Sequence, residues 1–482
     1  MIKTGRARGI VIAIALCFIC LFRFIPAPGG MTASAMQVLG IFAGVLLLWM
    51  TLSIDWPSML CLAAIAFVPE MSMGSILTAS VGNATFSFLM FTFMCTYTLG
   101  QTPFIRRCAL AFVTGRGAKR GPWAFVTLYF ASVLFLGSFM SPTVLVVILL
   151  TISEEMFGIL GLKKGDPIST MMTAGMVFCA GIAAGMTPIA HVFPVLSMNV
   201  YQNATGNAIS YVHYMAAGIP TGLAATAAMM LIFRFMLRPD MSKLKTAGVD
   251  GLKAKLPPMT RREGLCIGIF FAVVALWVLP ALIKPFAPGV AAFIDSFGIA
   301  MPPLLGAVLL AVISVDGKPL LNFKDATSKG IPWASLIMVS GTLALGAAMT
   351  HADIGLTAWM TERIAPMAAN LAPIALVIFF VACSAVMTNF ASSMVTATVV
   401  ATIALPVLVA TAGAVSAPAV IALIGMMSAY DFATPPGMAT IAFAIGSGWV
   451  TTGDMAKYGF TLMVISIAIA AAVGYPIAAM LM

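Results

Sequence analysis

The chain has 482 residues, of which 61% are hydrophobic and only 8% charged, too little polar surface to cover a water-soluble globule of this size. Its formal charge of +10 is spread over short loops between apolar runs, a distribution that argues against a nucleic-acid partner and reads as membrane topology. The composition describes an integral membrane protein in contact with lipid, with the bacterial inner membrane as the expected location and any function placed within the bilayer.

The first apolar stretch follows MIKTGRARG and has the look of a secretory leader. RFIPAPGG carries no small-x-small cleavage site, however, so 10–25 is read as a first span. About 20 apolar residues cross a hydrocarbon core, which predicts further spans near 36–52, 56–69, 84–100, 169–200, 211–236, 264–283, 297–315, 333–350, 416–446 and 458–481. Two longer runs, about 123–150 and 373–411, carry polar interruptions. Read as re-entrant hairpins that enter and leave on one side, they leave eleven spans, with the N-terminus inside and the C-terminus outside.

Positive charge tests this topology. The loops assigned to the cytoplasm hold Lys3, Arg6 and Arg8, then Arg106, Arg107, Arg116, Lys119 and Arg120, then Lys163 and Lys164, the basic residues from Arg234 to Arg262, Lys318, Lys324, Lys329 and Lys457. The opposite face keeps only Arg23, Lys284 and Arg363, as the positive-inside rule requires. A hairpin that crossed fully would invert everything after it.

The basic segment 238–263 divides the chain into an N-terminal repeat, 1–237, and a C-terminal repeat, 264–482, with the segment itself as a cytoplasmic linker. Each half runs in the same order: spans, an interrupted hairpin, an interrupted long span and a final span. An odd number of crossings separates the halves, so they are inverted, an arrangement typical of secondary transporters with a midplane site at the repeat interface. The interruptions match: Met140-Ser141-Pro142-Thr143 and Met186-Thr187-Pro188 in the first half, Ala391-Ser392-Ser393-Met394 and Ala433-Thr434-Pro435-Pro436 in the second. Ser and Thr favour the N-cap and Pro the first helical position. Ser141-Pro142, Thr187-Pro188, Ser392-Ser393 and Thr434-Pro435 are therefore expected to start half-helices at membrane depth, where non-helical backbone must face protein or a water-filled cavity. Their N-termini would bind an anion without Lys or Arg.

These residues resemble the divalent anion:sodium symporters, the dicarboxylate, citrate and sulfate transporters. The resemblance covers essentially the whole chain and is firmest in TNFASSMVTATVVATIALP (Thr388 to Pro406), DFATPPGMATIAFAIGSGWVTTGDMAKYG (Asp431 to Gly459) and LPPMTRREG before the second half. It implies a homodimer, an elevator-like movement of a transport domain, and cation-coupled uptake of a small anionic substrate, a di- or tricarboxylate first, with sulfate or another anion, proton coupling and exchange as alternatives. It also implies sodium as the bound ion and no other cofactor. By the same resemblance the substrate would lie among Ser141, Pro142, Thr143, Thr187, Pro188, Ser392, Ser393, Thr434 and Pro435. A first sodium site would use Gly137, Ser141 and Met186, and a second Thr388, Ala391, Ser393 and Ala433. The family's hairpin tips read Ser-Asn-Thr, and here Pro142 and Ser393 replace both asparagines, which weakens the first sodium site more than the second.

Two ionisable residues stand at the breaks. Asp431 precedes Thr434 and His191 follows Thr187, and charge at this depth is expensive enough to suggest function. They are candidates for coupling, through a proton in place of a sodium or through Asp431 as a cation ligand. The alternative is a structural hydrogen bond, for Asp431 one to Asn389 or a neighbouring carbonyl. An enzyme is not expected, because the three histidines are scattered and form no HExxH-like motif. Inverted halves favour alternating access over a channel. The eight cysteines show only the Cys17-x-x-Cys20 pair, itself inside a span, and read as packing residues.

Overall fold

A computed structural model describes residues 5–246, 256–356, 358–359, 362–363, 372–435 and 437–482. Lys3, the middle of the basic linker and Pro436 lie outside them. The first half comprises α1 (Gly5–Leu21), α2 (Ala33–Thr51), α3 (Trp56–Ile65), α4 (Met73–Ala79), α5 (Ala84–Gly100), α6 (Phe104–Thr114), the hairpin α7 (Pro122–Gly137) and α8 (Pro142–Ile159), then α9 (Pro167–Met186), α10 (Val192–Thr205) and α11 (Tyr211–Ile232). The second half comprises α12 (Arg261–Ile283), α13 (Pro288–Ser296), α14 (Met301–Val312), α15 (Trp333–Thr350), the hairpin α16 (Pro373–Phe390) and α17 (Ser393–Ala410), then α18 (Ala417–Met427), α19 (Ala439–Ser447), α20 (Thr452–Ile469) and α21 (Tyr475–Leu481). Ten helices are long and apolar enough to span a membrane, or up to 12 if each of two bent pairs is one span. Three of the ten, α8, α16 and α17, are hairpin arms, which is how a length count and the eleven-span topology agree.

Long-range polar contacts join only loops assigned to the same side. On the cytoplasmic face Arg107 forks onto Glu263, with both N–O distances 2.9 Å. Arg262 donates to the carbonyls of Pro319 and Leu320, Lys164 donates to Ser447 O at 2.6 Å, and Trp449 donates to Glu154 at 2.9 Å. On the opposite face Thr32 donates to Ile354 O, and Trp359 and Arg363 both donate to Gly29 O. The first hairpin therefore enters from the cytoplasm and the second from outside.

The two halves pack alike. The first hairpin lies on α9, and the second lies on α18. One apolar core gathers both hairpins, α9, α18, α11 and α20, while two others gather α1 to α5 and α12 to α15. The hairpin body and this surrounding framework meet along α10 and α17, which contact α15 and α2 respectively. Close approach at the centre depends on glycine. A methyl on Gly185 of α9 would fall 2.7 Å from Tyr430 Cε1 and 2.8 Å from Met426 O, and one on Gly425 of α18 would fall 2.2 Å from Ser197 Oγ. Each broken span thus presses its smooth face against the other's break.

The sequence reading placed α6 in a loop. Its buried residues Ile105, Ala109, Leu110 and Val113 instead recur at helical spacing, and the helix lies against the hairpin arms α7 and α8 with Arg106 paired to Glu155.

Candidate anion and cation sites at the helix breaks

The expected hairpin tips are present. Chain direction reverses between Gly137 and Pro142, where Ser141 is the N-cap and Pro142 the first helical residue, and again between Phe390 and Ser393, with Ser392 at the N-cap. Proline suits the first of these starts because that position has no intrahelical donor to lose. Neither serine hydroxyl caps its own helix, so the first-turn N–H groups remain open.

The two interrupted spans break later than the Thr-Pro pairs suggested. Thr187 is extended and the half-helix α10 starts after an N-cap at His191. Ala190, at φ 59°, lies in the left-handed region and ends any helix begun at Pro188. In the second half α19 starts after Met438, beyond Thr434 and Pro435. Both threonines point backwards. Thr187 Oγ1 donates to Ser138 O at 2.6 Å, and Thr434 Oγ1 donates to Asn389 O, so each hydroxyl ties its break to the neighbouring hairpin instead of capping a helix.

A cavity of about 480 Å³ opens where these elements meet. Its walls include Ser141, Pro142 and Thr143 at the start of α8, Ser392 and Ser393 at α17, Ala190, His191 and Val192 at α10, and Gly437, Met438 and Ala439 at α19. Four half-helix N-termini, two from each half, converge on one space, and none of them has a side-chain cap. Each contributes unbonded N–H groups and the positive end of a helix dipole. Opposite them stand Phe93, Thr96, Tyr97 and Gln101 of α5 and its end, with Lys329 and Ser335 before and within α15. The framework side was not anticipated. Lys329 stands at the cytoplasmic mouth, 66% exposed and paired with Asp325 at 2.7 Å.

The remaining expected site residues sit behind the cavity wall. Thr187, Pro188, Thr434 and Pro435 are absent from the lining, as are Gly137, Met186, Thr388, Ala391, Ala433 and Asp431. His191 donates from Nε2 to Gly137 O at 2.7 Å, which makes that nitrogen the protonated one. Asp431 is 2% exposed, and neither carboxylate oxygen has a hydrogen-bond partner among the described residues. Asn389, a possible partner from the sequence, is committed elsewhere: its Oδ1 accepts from Phe432 N and Ala433 N, and its Nδ2 donates to Ala385 O and Tyr430 O.

Residues 7–482 match the family model described as the sodium:sulfate symporter transmembrane region. The chain belongs to this symporter family. Among the relatives of this symporter chain, the sodium-dependent dicarboxylate transporter SdcS of Staphylococcus saprophyticus is 23% identical over 503 residues, 98% of this chain and 91% of that protein. SdcS of Staphylococcus aureus strain MRSA252 is 23% identical over 494 residues, 96% of this chain and 89% of that one. Among solved structures, the YdaH transporter of Alcanivorax borkumensis superposes with a TM-score of 0.52 at 14% identity, covering 91% of this chain and 97% of its own. MtrF of Neisseria gonorrhoeae, described among antimetabolite efflux pumps, gives 0.50 at 13% identity over 95% and 97%. At such identity these two share the fold alone. The symporter chain is a secondary transporter of the bacterial plasma membrane and not an enzyme.

Proposed function

We propose that the protein carries a small dicarboxylate across the membrane together with a cation, by moving the hairpin body against the framework. The observation that carries this reading is the convergence of four uncapped half-helix N-termini on one cavity. The termini come in two pairs, one from each half of the chain, so an anion with charge at both ends fits better than a compact tetrahedral one such as sulfate. A dicarboxylate also agrees with the relatives named for dicarboxylate transport, and their sodium dependence makes sodium the coupling ion to test first. The division of the apolar cores into a hairpin body and a surrounding framework, with the cavity between them, supports an elevator-like movement.

The test is uptake by the purified protein in proteoliposomes, with labelled succinate, citrate and sulfate as substrates and sodium and pH gradients imposed separately. Saturable succinate uptake driven by an inward sodium gradient, with counterflow in preloaded vesicles, is the expected result. Sulfate uptake without succinate uptake, or flux without counterflow, would overturn the reading.

A further inference from the structure

The carbonyl groups at the C-terminal ends of the hairpins' first arms invite comparison, because helix C-termini and unwound carbonyls are what hold cations in broken-helix transporters. Gly137 ends α7 four residues before Ser141, and Thr388 stands four residues before Ser392 near the end of α16. The next residues, Ser138 and Asn389, are alike in their partners: the carbonyl of each accepts a hydrogen bond from the threonine of the adjacent break, Thr187 and Thr434. The two halves therefore superpose in their bonding up to this point and then diverge.

In the first half the Gly137 carbonyl accepts the Nε2–H of His191, the N-cap of α10, at 2.7 Å. The neighbouring carbonyl of Gly185 accepts from Tyr214 OH at 2.8 Å, and Pro142 has no side-chain oxygen to offer a cation. Protein donors occupy this side. In the second half the N-cap of α19 is Met438, which has no donor, and among the described residues no side chain donates to the Thr388 carbonyl. A carboxylate arrives in place of a donor. A methyl placed on Gly437 would lie 2.5 Å from Asp431 Oδ2 and 2.5 Å from Thr388 O, so both oxygens face the same small space, left open because residue 437 is glycine. Ser393 Oγ is 3.5 Å from Gly437 O and 3.0 Å from Thr388 Oγ1. Oxygen acceptors gather here around an unpartnered, buried carboxylate, an arrangement that is costly at membrane depth unless a positive charge completes it.

We infer that the protein binds one sodium ion, at Asp431, Thr388, Ser393 and Gly437 behind the second hairpin tip, and that the His191 N–H permanently fills the matching position behind the first. This deepens the transport reading by naming where its coupling cation sits and how many there are. The donor set is all oxygen and includes one carboxylate, which suits a hard cation. The ion lies between the negative ends of α16 and α18 and behind the positive ends of α17 and α19. Binding would fix the second hairpin tip before the anion arrives.

The test uses purified full-length protein without any anionic substrate. Equilibrium binding of radioactive sodium counts sites on the unmodified chain, and thermal stability titrated with sodium chloride against choline chloride gives the affinity. One sodium per chain and a single-site stabilisation curve are expected. Asp431→Asn should raise the half-saturating sodium concentration at least tenfold, and His191→Ala should leave one bound sodium, since Pro142 still denies the first side a ligand. Two bound sodium ions in the unmodified protein, none, or an unchanged sodium response in Asp431→Asn would overturn the inference. Sodium binding without dicarboxylate uptake would overturn the transport reading and leave this site standing, whereas sodium-driven uptake that ignores Asp431 would do the reverse.

Discussion

Removing a hydroxyl from the cavity wall separates two ways of holding an anion. Thr143 and Ser392 line the cavity on opposite hairpin tips, and the Ser392 hydroxyl is not used as a cap. A hydrogen bond from either to a carboxylate contributes roughly 1.5–3 kcal/mol, and about 1.4 kcal/mol is a tenfold change in affinity. Thr143→Val and Ser392→Ala are each expected to raise the KM for succinate uptake by roughly 10–150-fold without lowering Tm, because both residues are only half-buried. Lys329→Met should change KM by less than about threefold, since an exposed side chain already paired with Asp325 adds little directional attraction. The measurement is initial-rate uptake in proteoliposomes over a range of succinate concentrations, with detergent-solubilised Tm as the folding control. Near-normal KM in both hydroxyl variants with a large rise in Lys329→Met would refute anion capture by helix termini and place it at the cytoplasmic mouth.

Two further changes probe the frame that holds the site. Gly185→Ala puts a methyl 2.7 Å from Tyr430 Cε1 and 2.8 Å from Met426 O; overpacking of this kind costs about 1–3 kcal/mol, to be read as a lower Tm, and an unchanged Tm would mean that the crossing of the broken spans is looser than described. Arg107→Met strips the partner from Glu263, which is 1% exposed. With Arg107 itself partly in water the expected loss is about 2–3 kcal/mol, below that of a fully buried pair, and Glu263→Gln in the same chain should restore part of the Tm.

The helix breaks, the two hairpins and the sidedness of the loops were legible in the sequence, because membrane depth makes a Ser-Pro or Ser-Ser interruption conspicuous and because Lys and Arg distribute by side. The hydroxyls of Thr187 and Thr434 were not, since a threonine before proline serves equally as a helix cap or as a tie to a neighbouring carbonyl, and only tertiary contact with Ser138 and Asn389 decides. The left-handed turn at Ala190, which carries His191 to the Gly137 carbonyl, has no glycine to announce it. Lys329 and Gln101 read as loop residues because linear distance from the hairpins hides the cavity that α5 and α15 complete. The amphipathic α6 was lost among basic loop charges for a related reason: its apolar stripe is too short to register as a span.

Every residue of α9 from Ile168 to Met186 is buried, with Gly181 set against Ala429 and Phe432 and Gly185 against Met426 and Tyr430. In time as well as space this has a consequence. A ribosome delivers α9 to the membrane long before it makes residues 426–432, so the first half must wait, with its central helix lacking its partners, until the second half has been inserted. The two repeats are therefore not modules that fold in turn. They assemble as halves of one object, and separately synthesised halves would be expected to find each other in the membrane or be degraded.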